Sequence, residues 1–228
     1  MLAGLLKVAA SDPKLKGLIS HVGEQQLHIT GIDQARPWAV GALAHHAPVL
    51  LVTATGREAE DLTAELRAMM GDTVAWFPSW ETLPHERLSP GVDIIGQRAR
   101  VLDHLDELRV VVTAARGVCQ PLLESVDGRE PVILRRGADH DFSALTEELV
   151  FRAYSHVDMV AKRGEFATRG GILDIFPTTA DLPVRVEFWG DEVTEIRPFS
   201  VADQRTIPEV ELDAVEIYPA RELPITDA

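Results

Sequence analysis

Cysteine is almost absent from the sequence. The 228 residues include one, Cys119, which excludes an intramolecular disulfide and any metal site built from several thiolates. Cys119 follows the apolar run VVVTAARGV, and this position predicts a small, buried side chain. A chain with so little cysteine fits a reducing compartment.

Long apolar runs are missing as well. No run approaches the ~18 residues that a helix needs to cross a bilayer. The first residues, MLAGLLKVAASDPKLKG, lack the basic region, apolar core and cleavage site of an export signal. We therefore expect a cytoplasmic protein with no membrane partner.

Positive charge is scarce throughout the chain, whose formal net charge is −14. Residues 1–149 carry 14 Lys and Arg against 21 Asp and Glu, and residues 150–228 carry 8 against 15. Non-specific DNA binding depends on a basic face that displaces counterions, so DNA is a weak candidate partner for this chain alone. A local basic patch stays open, because net charge does not set its distribution.

Catalytic motifs are absent too. The sequence contains neither Gly-x-Ser-x-Gly nor His-Glu-x-x-His,. His45-His46 is an isolated pair without a third ligand nearby, which predicts exposed residues rather than a metal site,. Asp106-Glu107 precedes a predicted strand instead of following one, so it does not form the acidic magnesium motif of a helicase. We predict no catalytic residue and no metal site.

The first half of the chain alternates strand and helix patterns. Predicted strands are QLHIT (26–30), PVLLVT (48–53), TVAWF (73–77) and RVVVT (109–113),. Predicted helices are an alanine-rich stretch up to residue 46, residues 57–70 with Gly71 as a stop, and residues from about 93 to 108,. The continuous apolar run PVLLVT is typical of a strand buried on both faces. This βαβ series predicts a doubly wound α/β domain.

The pattern changes near residue 125. A short amphipathic helix, DFSALTEELVF, is followed by the strands GEFATR, GILDIFP, VRVEFWG and EVTEIRPF. Gly170-Gly171 and Gly190-Asp191 are turn pairs between these strands,. This order predicts an antiparallel sheet, and hence an α+β second domain. A last predicted strand, Val215–Tyr218, lies near the end of the chain.

An imperfect phosphate-loop pattern precedes the first predicted helix. A functional loop has Gly-x-x-x-x-Gly-Lys-[Ser/Thr] at such a strand-to-helix turn. In GIDQARPW, Gly31 matches the first glycine, whereas Arg36, Pro37 and Trp38 replace the second glycine, the lysine and the hydroxyl residue. Proline has no ammonium for a phosphate, and tryptophan has no oxygen for magnesium. Spacing alone makes this an ordinary strand-to-helix turn, and we do not expect the chain to hydrolyse ATP.

Strand alternation sorts the residues of GEFATR and VRVEFWG into two faces. The apolar, core-facing set is Phe166, Thr168, Val184, Val186 and Phe188. The outward set is Glu165, Ala167, Arg169, Arg185, Glu187 and Trp189. The outward charges predict either an ordinary solvated face, with ion pairs worth under ~1 kcal/mol each, or a flat docking surface anchored by arginines with flanking aromatics. Composition does not decide between the two.

At these residues the chain resembles a known family. YSHVDMVAKRGEFATRGGILDIFP and LPVRVEFWGDEVTEIRPFSVADQRT resemble the domain shared by the repair protein UvrB and the transcription-repair coupling factors. FPSWETLPHERLSPGVDIIGQR is similar to the coupling factors specifically. The degenerate GIDQARPW favours them too, because UvrB keeps an intact phosphate loop. The resemblance covers essentially the whole chain.

The resemblance implies a fold, an activity and partners. Coupling factors recognise stalled RNA polymerase, displace it with a DNA translocase that uses ATP and magnesium, and recruit the excision-repair protein UvrA. Their N-terminal module is implied to be a degenerate helicase-type parallel-sheet domain with an inserted antiparallel α+β domain that docks UvrA. RNA polymerase and DNA are expected to bind other domains of a longer protein, and no cofactor is expected in this fragment.

The resemblance also divides the chain. Residues 1–125 are assigned to the degenerate nucleotide-type domain, and residues 126–208 to the antiparallel UvrA-docking domain. Residues 209–228 are assigned to the start of a segment that returns to the first domain, so the chain is expected to be a fragment.

Contact residues for UvrA carry over from the UvrB pattern. Arg169, Arg185 and Glu187 keep the residue types of that pattern, whereas His156 and Ala167 stand where UvrB has arginine. These two changes imply weaker or differently distributed pairing. The expected contact set is Arg169, Arg185 and Glu187, with His156 and Arg163 at its margin. Phe166 and Phe188 are expected to support the sheet from beneath.

Two other classes of function compete with a docking module. The first is a UvrB-like nucleotide-dependent DNA helicase, which magnesium-dependent ATP binding at micromolar concentration would indicate. The second is a DNA-binding module, against which the net charge of −14 speaks. Tight binding of duplex DNA at physiological salt would favour it.

Overall fold

The structure is a computed structural model that describes residues 3–9, 11–83, 86, 88–122 and 130–222. It contains two compact units. Unit 1 comprises Met1–Ser79 and His104–Pro121, and unit 2 comprises Trp80–Asp103 and Leu122–Ala228. The predicted domain boundary at residues 125 and 126 lies outside the described residues, and the predicted domain limits stay predictions.

The elements are numbered in chain order. The helices are α1 (Ala3–Ala9), α2 (Pro13–Ile19), α3 (Arg36–Ala44), α4 (Gly56–Met70), α5 (Val92–Asp103), α6 (Ala115–Val118) and α7 (Phe142–Phe151). The strands are β1 (Val49–Thr53), β2 (Val74–Phe77), β3 (Val110–Ala114), β4 (Val132–Arg135), β5 (Ser155–His156), β6 (Glu165–Arg169), β7 (Ile172–Ile175), β8 (Val184–Trp189), β9 (Glu192–Pro198) and β10 (Ala214–Ile217). Among the described residues, no helix has the length and apolar character to cross a membrane.

The sheet of unit 1 is parallel and has the strand order β1-β3-β2. Val49 of β1 and Val74 of β2 both stand opposite Val110 of β3. Helices α3 and α4 pack on one face of this sheet, where Leu66 and Val112 are fully buried. The α/β class predicted from the βαβ series is confirmed.

The second face of β1 is exposed. Leu50 and Val52 are 59% and 46% exposed, whereas Val49 and Leu51 pack against the core. The prediction that PVLLVT is buried on both faces is therefore wrong for this strand. An apolar run does not reveal whether a strand is central in its sheet. Strand β1 lies at the edge of the sheet, and α3 and α4 cover the face that carries Val49 and Leu51.

Residues 26–30 do not form the predicted strand. They lie in a segment without regular structure, and Leu27 and Ile29 are 40% and 57% exposed. A strand needs a partner for its backbone groups, and short alternation alone does not supply one. GIDQARPW therefore follows an irregular segment rather than a strand of the sheet.

The ends of helix α4 follow its sequence signals. The Thr55 side chain accepts a hydrogen bond from the backbone N–H of Glu58 at the N-terminus,. Gly71 adopts a φ of 68° immediately after the last helical residue, which confirms the predicted stop,. Helix α5 ends at Asp103, before the predicted limit at residue 108.

The larger sheet of unit 2 has the strand order β5-β6-β7-β8-β9. Strands β6 to β9 are consecutive and antiparallel, as the sequence predicts. Gly170 turns between β6 and β7 with a φ of 61°. A Cβ atom on Gly171 would lie 2.7 Å from the carbonyl oxygen of Phe188, so only glycine permits this approach of β7 to β8,.

Strand β4 has no counterpart in the sequence-based prediction. It pairs antiparallel with β10, and Leu134 stands opposite Val215. Both residues belong to the core of unit 2, which also contains Leu149 of α7. In the structure, residues 209–222 thus belong to the same compact unit as the large sheet. Their assignment to the first domain stays a prediction.

Cys119 is exposed, so the prediction of a buried thiol is wrong. It follows α6, the short helix that leaves the end of β3. The apolar run before it is the buried strand, and the chain has already turned to the surface when it reaches the cysteine.

Candidate docking face

The degenerate phosphate loop is occupied by an ion-pair network. Arg36 begins α3, and its guanidinium pairs with Asp33 at 3.2 Å and with Glu58 of α4. Gly31 is exposed and Trp38 packs partly against the core of unit 1. A phosphate would thus meet two carboxylates at this position, where a functional loop offers backbone N–H groups and a lysine. The arrangement contains no anion cradle.

Other polar pairs singled out in the sequence are exposed and isolated. His45-His46 lies on the surface after α3, and Asp106-Glu107 lies on the surface after α5. Within the part of the chain that the structure describes, no group of three or more His, Cys, Asp or Glu side chains could hold a metal ion.

The large sheet of unit 2 has a core side and an outer face. Phe166 and Phe188 are 2% and 8% exposed and belong to the core, which confirms the sorting by alternation. The outer face is defined here as Glu165, Ala167, Arg169, Ile172, Asp174, Arg185, Glu187, Trp189, Glu195 and Arg197.

Arg185 is held by a carboxylate within the outer face. Its Nε and Nη2 donate to the two carboxylate oxygens of Asp174 at 2.7 and 2.8 Å. The side chains of Arg185 and Asp174 are 21% and 6% exposed, and the guanidinium lies 5.2 Å from the ring centroid of Phe199. The hydrogen bond to Asp174 raises the pKa of Arg185 above its ordinary value. Alternation thus places Arg185 on the correct face, but the side chain is only partly exposed to solvent, and the guanidinium is fixed in one orientation.

Arg169 is the exposed arginine of this face. Its Nη2 donates to the carbonyl oxygen of Asp158 at 2.7 Å. Across the sheet, Arg169 stands opposite Ile172, and Ile172 stands opposite Glu187. Since neighbouring strands lie ~4.8 Å apart, Arg169 and Glu187 begin about 10 Å from each other on one row.

Glu187 continues this row towards β9. It stands directly opposite Glu195, and like charges in that position oppose each other,. Glu195 is paired with Arg197 of its own strand, and Glu187 lies near the charge of Arg185. Each of these two carboxylates is therefore offset by an arginine of the same face.

Among the described residues of unit 2, Trp189 is the most exposed large apolar side chain, at 82%. It ends β8 on the same outer face, two residues beyond Glu187. Alternation places Trp189 outward, but the expected contact set does not include it, because that set carries over the residues of the UvrB pattern. An exposed tryptophan beside charged groups is typical of a binding hot spot.

Ala167 is buried on the outer face. It is 3% exposed and packs with Val160, Phe176 and Phe199 in a second small cluster, the outer cluster. The UvrB pattern has an arginine at this position, whereas Ala167 lies beneath neighbouring side chains. The position is therefore not an exposed site from which a charge has been lost.

Replacing Ala167 by arginine tests this reading. We expect Ala167→Arg to lower the free energy of unfolding by about 2–4 kcal/mol, because a long charged side chain must enter a packed cluster. Urea unfolding measures the change, with Ala64→Arg at an exposed alanine of α4 as the matched control. Unchanged stability of Ala167→Arg would contradict burial of this position.

His156 contacts the core side of the sheet, not the outer face. It pairs in parallel register with Phe166, whose ring it stacks on at 4.8 Å between centroids, and its Nε2 is 3.3 Å from Oγ1 of Thr168. These partners belong to the core side of the sheet, so His156 lies at the edge of that side. The structure does not bring it together with Arg169 and Arg185.

Arg163 lies beside the outer cluster. Its Nε donates to the carbonyl oxygen of Ala180 at 2.8 Å, and its guanidinium lies 5.5 Å from the ring centroid of Phe176. A further, longer contact reaches exposed Asp181 at 3.4 Å. These contacts hold the 177–181 segment against the sheet, so Arg163 has a structural task at the margin of the face.

The part of the chain that contains this face matches a known family model. Residues 132–223 match the model of the UvrB interaction domain, and this range includes every strand of the outer face. This part of the chain is therefore similar to a UvrB interaction domain.

Over nearly its whole length the chain is also similar to transcription-repair-coupling factors. It is 50% identical to the protein of Mycobacterium tuberculosis (strain CDC 1551 / Oshkosh) over an alignment of 237 residues that includes 99% of the chain. The identity to the Escherichia coli (strain K12) and Bacillus subtilis (strain 168) proteins is 35% and 32%, over 90% and 89% of the chain. The chain spans 19%, 18% and 18% of the length of these three relatives. It matches an N-terminal fragment of the transcription-repair-coupling factor family.

Proposed function

We propose that this chain is a non-catalytic docking module for UvrA and that the outer face is its contact surface. Trp189 is the observation that carries the proposal, because an 82% exposed indole stands at the end of a strand whose other outward groups are charged. Arg169, Arg185 and Glu187 would surround it with both signs of charge. Such an aromatic anchor with charged neighbours is typical of protein interfaces.

The fixed geometry of the face supports this role. Arg185 is locked by Asp174, and Arg169 is oriented by the carbonyl of Asp158. A partner would therefore meet groups that need little further ordering, which lowers the entropic cost of binding. His156 and Arg163 would lie outside the centre of the contact, His156 at the edge and Arg163 beside the outer cluster.

For the whole protein, we propose the activity that the family resemblance implies. It would be an ATP-dependent DNA translocase that displaces RNA polymerase stalled at damage and recruits nucleotide excision repair in the cytoplasm. ATP, magnesium, DNA and RNA polymerase would bind domains beyond this fragment. The fragment itself would need no cofactor.

A nucleotide-dependent helicase like UvrB is the alternative. Arg36 and its carboxylate partners argue against it, since they occupy the position of the phosphate loop. Calorimetric titration of the chain with ATP in the presence of magnesium tests whether it binds nucleotide. We expect no heat of binding at micromolar concentration. Saturable, magnesium-dependent binding in that range would favour the helicase.

The docking proposal is tested with Arg169→Ala in a UvrA binding assay. Arg169 is exposed, so its removal leaves the fold intact. We expect the variant to bind UvrA more weakly by roughly 2 kcal/mol or more, the cost of removing one partner of an interface charge pair. Arg135→Ala, at an exposed arginine of β4, is the matched control. Equal binding by both variants would place the contact elsewhere.

A further inference from the structure

The outer face is bordered by two segments that side-chain hydrogen bonds join together. The 157–162 loop follows β5, and the 200–205 turn follows β9. The Gln204 side-chain Nε2 donates to the carbonyl oxygen of Val160 at 3.1 Å and to that of Val201 at 3.0 Å. One amide group therefore holds the loop to the turn.

The backbone of Gln204 is held for this task. Its φ is 60°, a conformation that side chains other than glycine, asparagine and aspartate rarely adopt,. The backbone N–H of Gln204 donates to the carbonyl oxygen of Ser200 at 2.8 Å. The backbone N–H of Ser200 donates to the carbonyl oxygen of Arg205 at 3.0 Å. The turn thus keeps a strained residue in place, and such strain is found where a side chain has a specific function.

The 157–162 loop in turn orients Arg169. The carbonyl of Asp158 accepts the hydrogen bond from Nη2 of Arg169. The other end of the loop is fixed by Glu165, whose carboxylate accepts the backbone N–H groups of Ala161 and Lys162 at 2.8 Å each. Gln204 holds Val160, which lies between these two attachments.

We propose that Gln204 is a positioning residue that holds the 157–162 loop and thereby places Arg169 for its partner. Arg185 is held chiefly by its two hydrogen bonds to Asp174 of the neighbouring strand, and it meets the outer cluster through the ring of Phe199. The effect of Gln204 on binding should therefore pass mainly through Arg169. The part that concerns UvrA rests on the proposed function, whereas the part that concerns the loop does not.

Amide hydrogen exchange of the free protein tests the effect on the loop. Gln204→Met keeps the size of the side chain and removes its donors, and Gln204→Gly removes the donors while favouring a φ of 60°. We expect both variants to fold and to exchange the amides of Ala161 and Lys162 about 3- to 10-fold faster, in line with one lost hydrogen bond. Gln25→Met, at an exposed glutamine of unit 1, should leave these rates unchanged. Unchanged rates in both Gln204 variants would overturn the proposal.

A double-mutant cycle tests the effect on UvrA binding. Gln204→Met should weaken binding about 3- to 10-fold in the otherwise unchanged chain and in Trp189→Ala. In Arg169→Ala it should change binding by less than about 2-fold, because the group it positions is gone. A loss in Arg169→Ala equal to that in the unchanged chain would indicate general loosening and overturn the proposal. If the unchanged chain does not bind UvrA, the proposed function fails, and hydrogen exchange still decides the role of Gln204 in the loop.

Discussion

Trp189→Ala is expected to lower the affinity for UvrA by about 2–4 kcal/mol, roughly a 30- to 1,000-fold increase in Kd. The indole is 82% exposed in the free chain, so its removal takes little from the fold. In a complex, the partner would displace water from both faces of the indole, and the indole would hold the charged groups around it in contact with the partner. Isothermal titration calorimetry with purified UvrA measures the loss.

Two further variants decide whether the effect is specific to Trp189. Phe151→Ala removes another exposed aromatic side chain, 45% exposed at the end of α7, and should leave the affinity unchanged. Trp189→Phe keeps an aromatic anchor and should retain most of the affinity. If Trp189→Ala bound UvrA as well as the unchanged chain, the outer face would not be centred on β8.

Arg185→Ala is expected to lower the free energy of unfolding by about 2–4 kcal/mol. Removing the guanidinium leaves Asp174 as a buried carboxylate without its two strong donors. Breaking a buried ion pair from one side costs about 3–5 kcal/mol, and partial exposure of Arg185 reduces that figure. Urea unfolding followed by circular dichroism measures the midpoint and slope.

The partner variant separates burial of charge from lost packing. In Arg185→Ala with Asp174→Ala, no carboxylate is left unpaired, and we expect part of the stability to return. Arg169→Ala is the control at an exposed arginine and should lie within about 0.5 kcal/mol of the unchanged chain. A midpoint for Arg185→Ala equal to that of the unchanged chain would show that Asp174 does not depend on Arg185. If Arg185→Ala is less stable, weaker UvrA binding by this variant can reflect a disturbed fold as well as a lost contact.

Local pattern was sufficient to predict much of this fold. The core positions of Phe166, Val186 and Phe188 follow from alternation, since neighbouring side chains of a strand point to opposite faces,. The end of α4 at Gly71 follows from the conformational freedom of glycine,. These features depend on a few consecutive residues, and a single sequence contains all the information they need.

The outer face could be predicted only in outline. Alternation places Ala167 and Arg185 outward, but it does not reveal that Val160 and Phe199 return over the same face. Those residues come from segments on either side of the sheet strands, so the outer cluster depends on contacts between distant parts of the chain. Burial of Ala167 and partial burial of Arg185 follow from that cluster.

The position of His156 illustrates the same limit. Strand β5 has two residues and pairs in parallel with β6, so its register depends on the path of the loop after it. A motif match assigns His156 to the contact set, whereas the pairing with Phe166 places it on the core side. The missing strand at residues 26–30 has a related cause, because alternation without a partner does not make a strand.

The Arg185–Asp174 pair has a consequence for the rate of encounter. Two opposite charges joined by hydrogen bonds of 2.7 and 2.8 Å form a dipole, and its field fades within the Debye length of about 8 Å at physiological salt,. Arg185 therefore attracts no partner from a distance, and the outer face mixes acidic and basic side chains, so it presents no strong field of one sign,. Association should proceed at the unsteered rate of about 10⁵–10⁶ M⁻¹s⁻¹ and respond little to ionic strength. The lifetime of the complex is then set by its dissociation rate, which depends on short-range contacts, above all on those of Trp189.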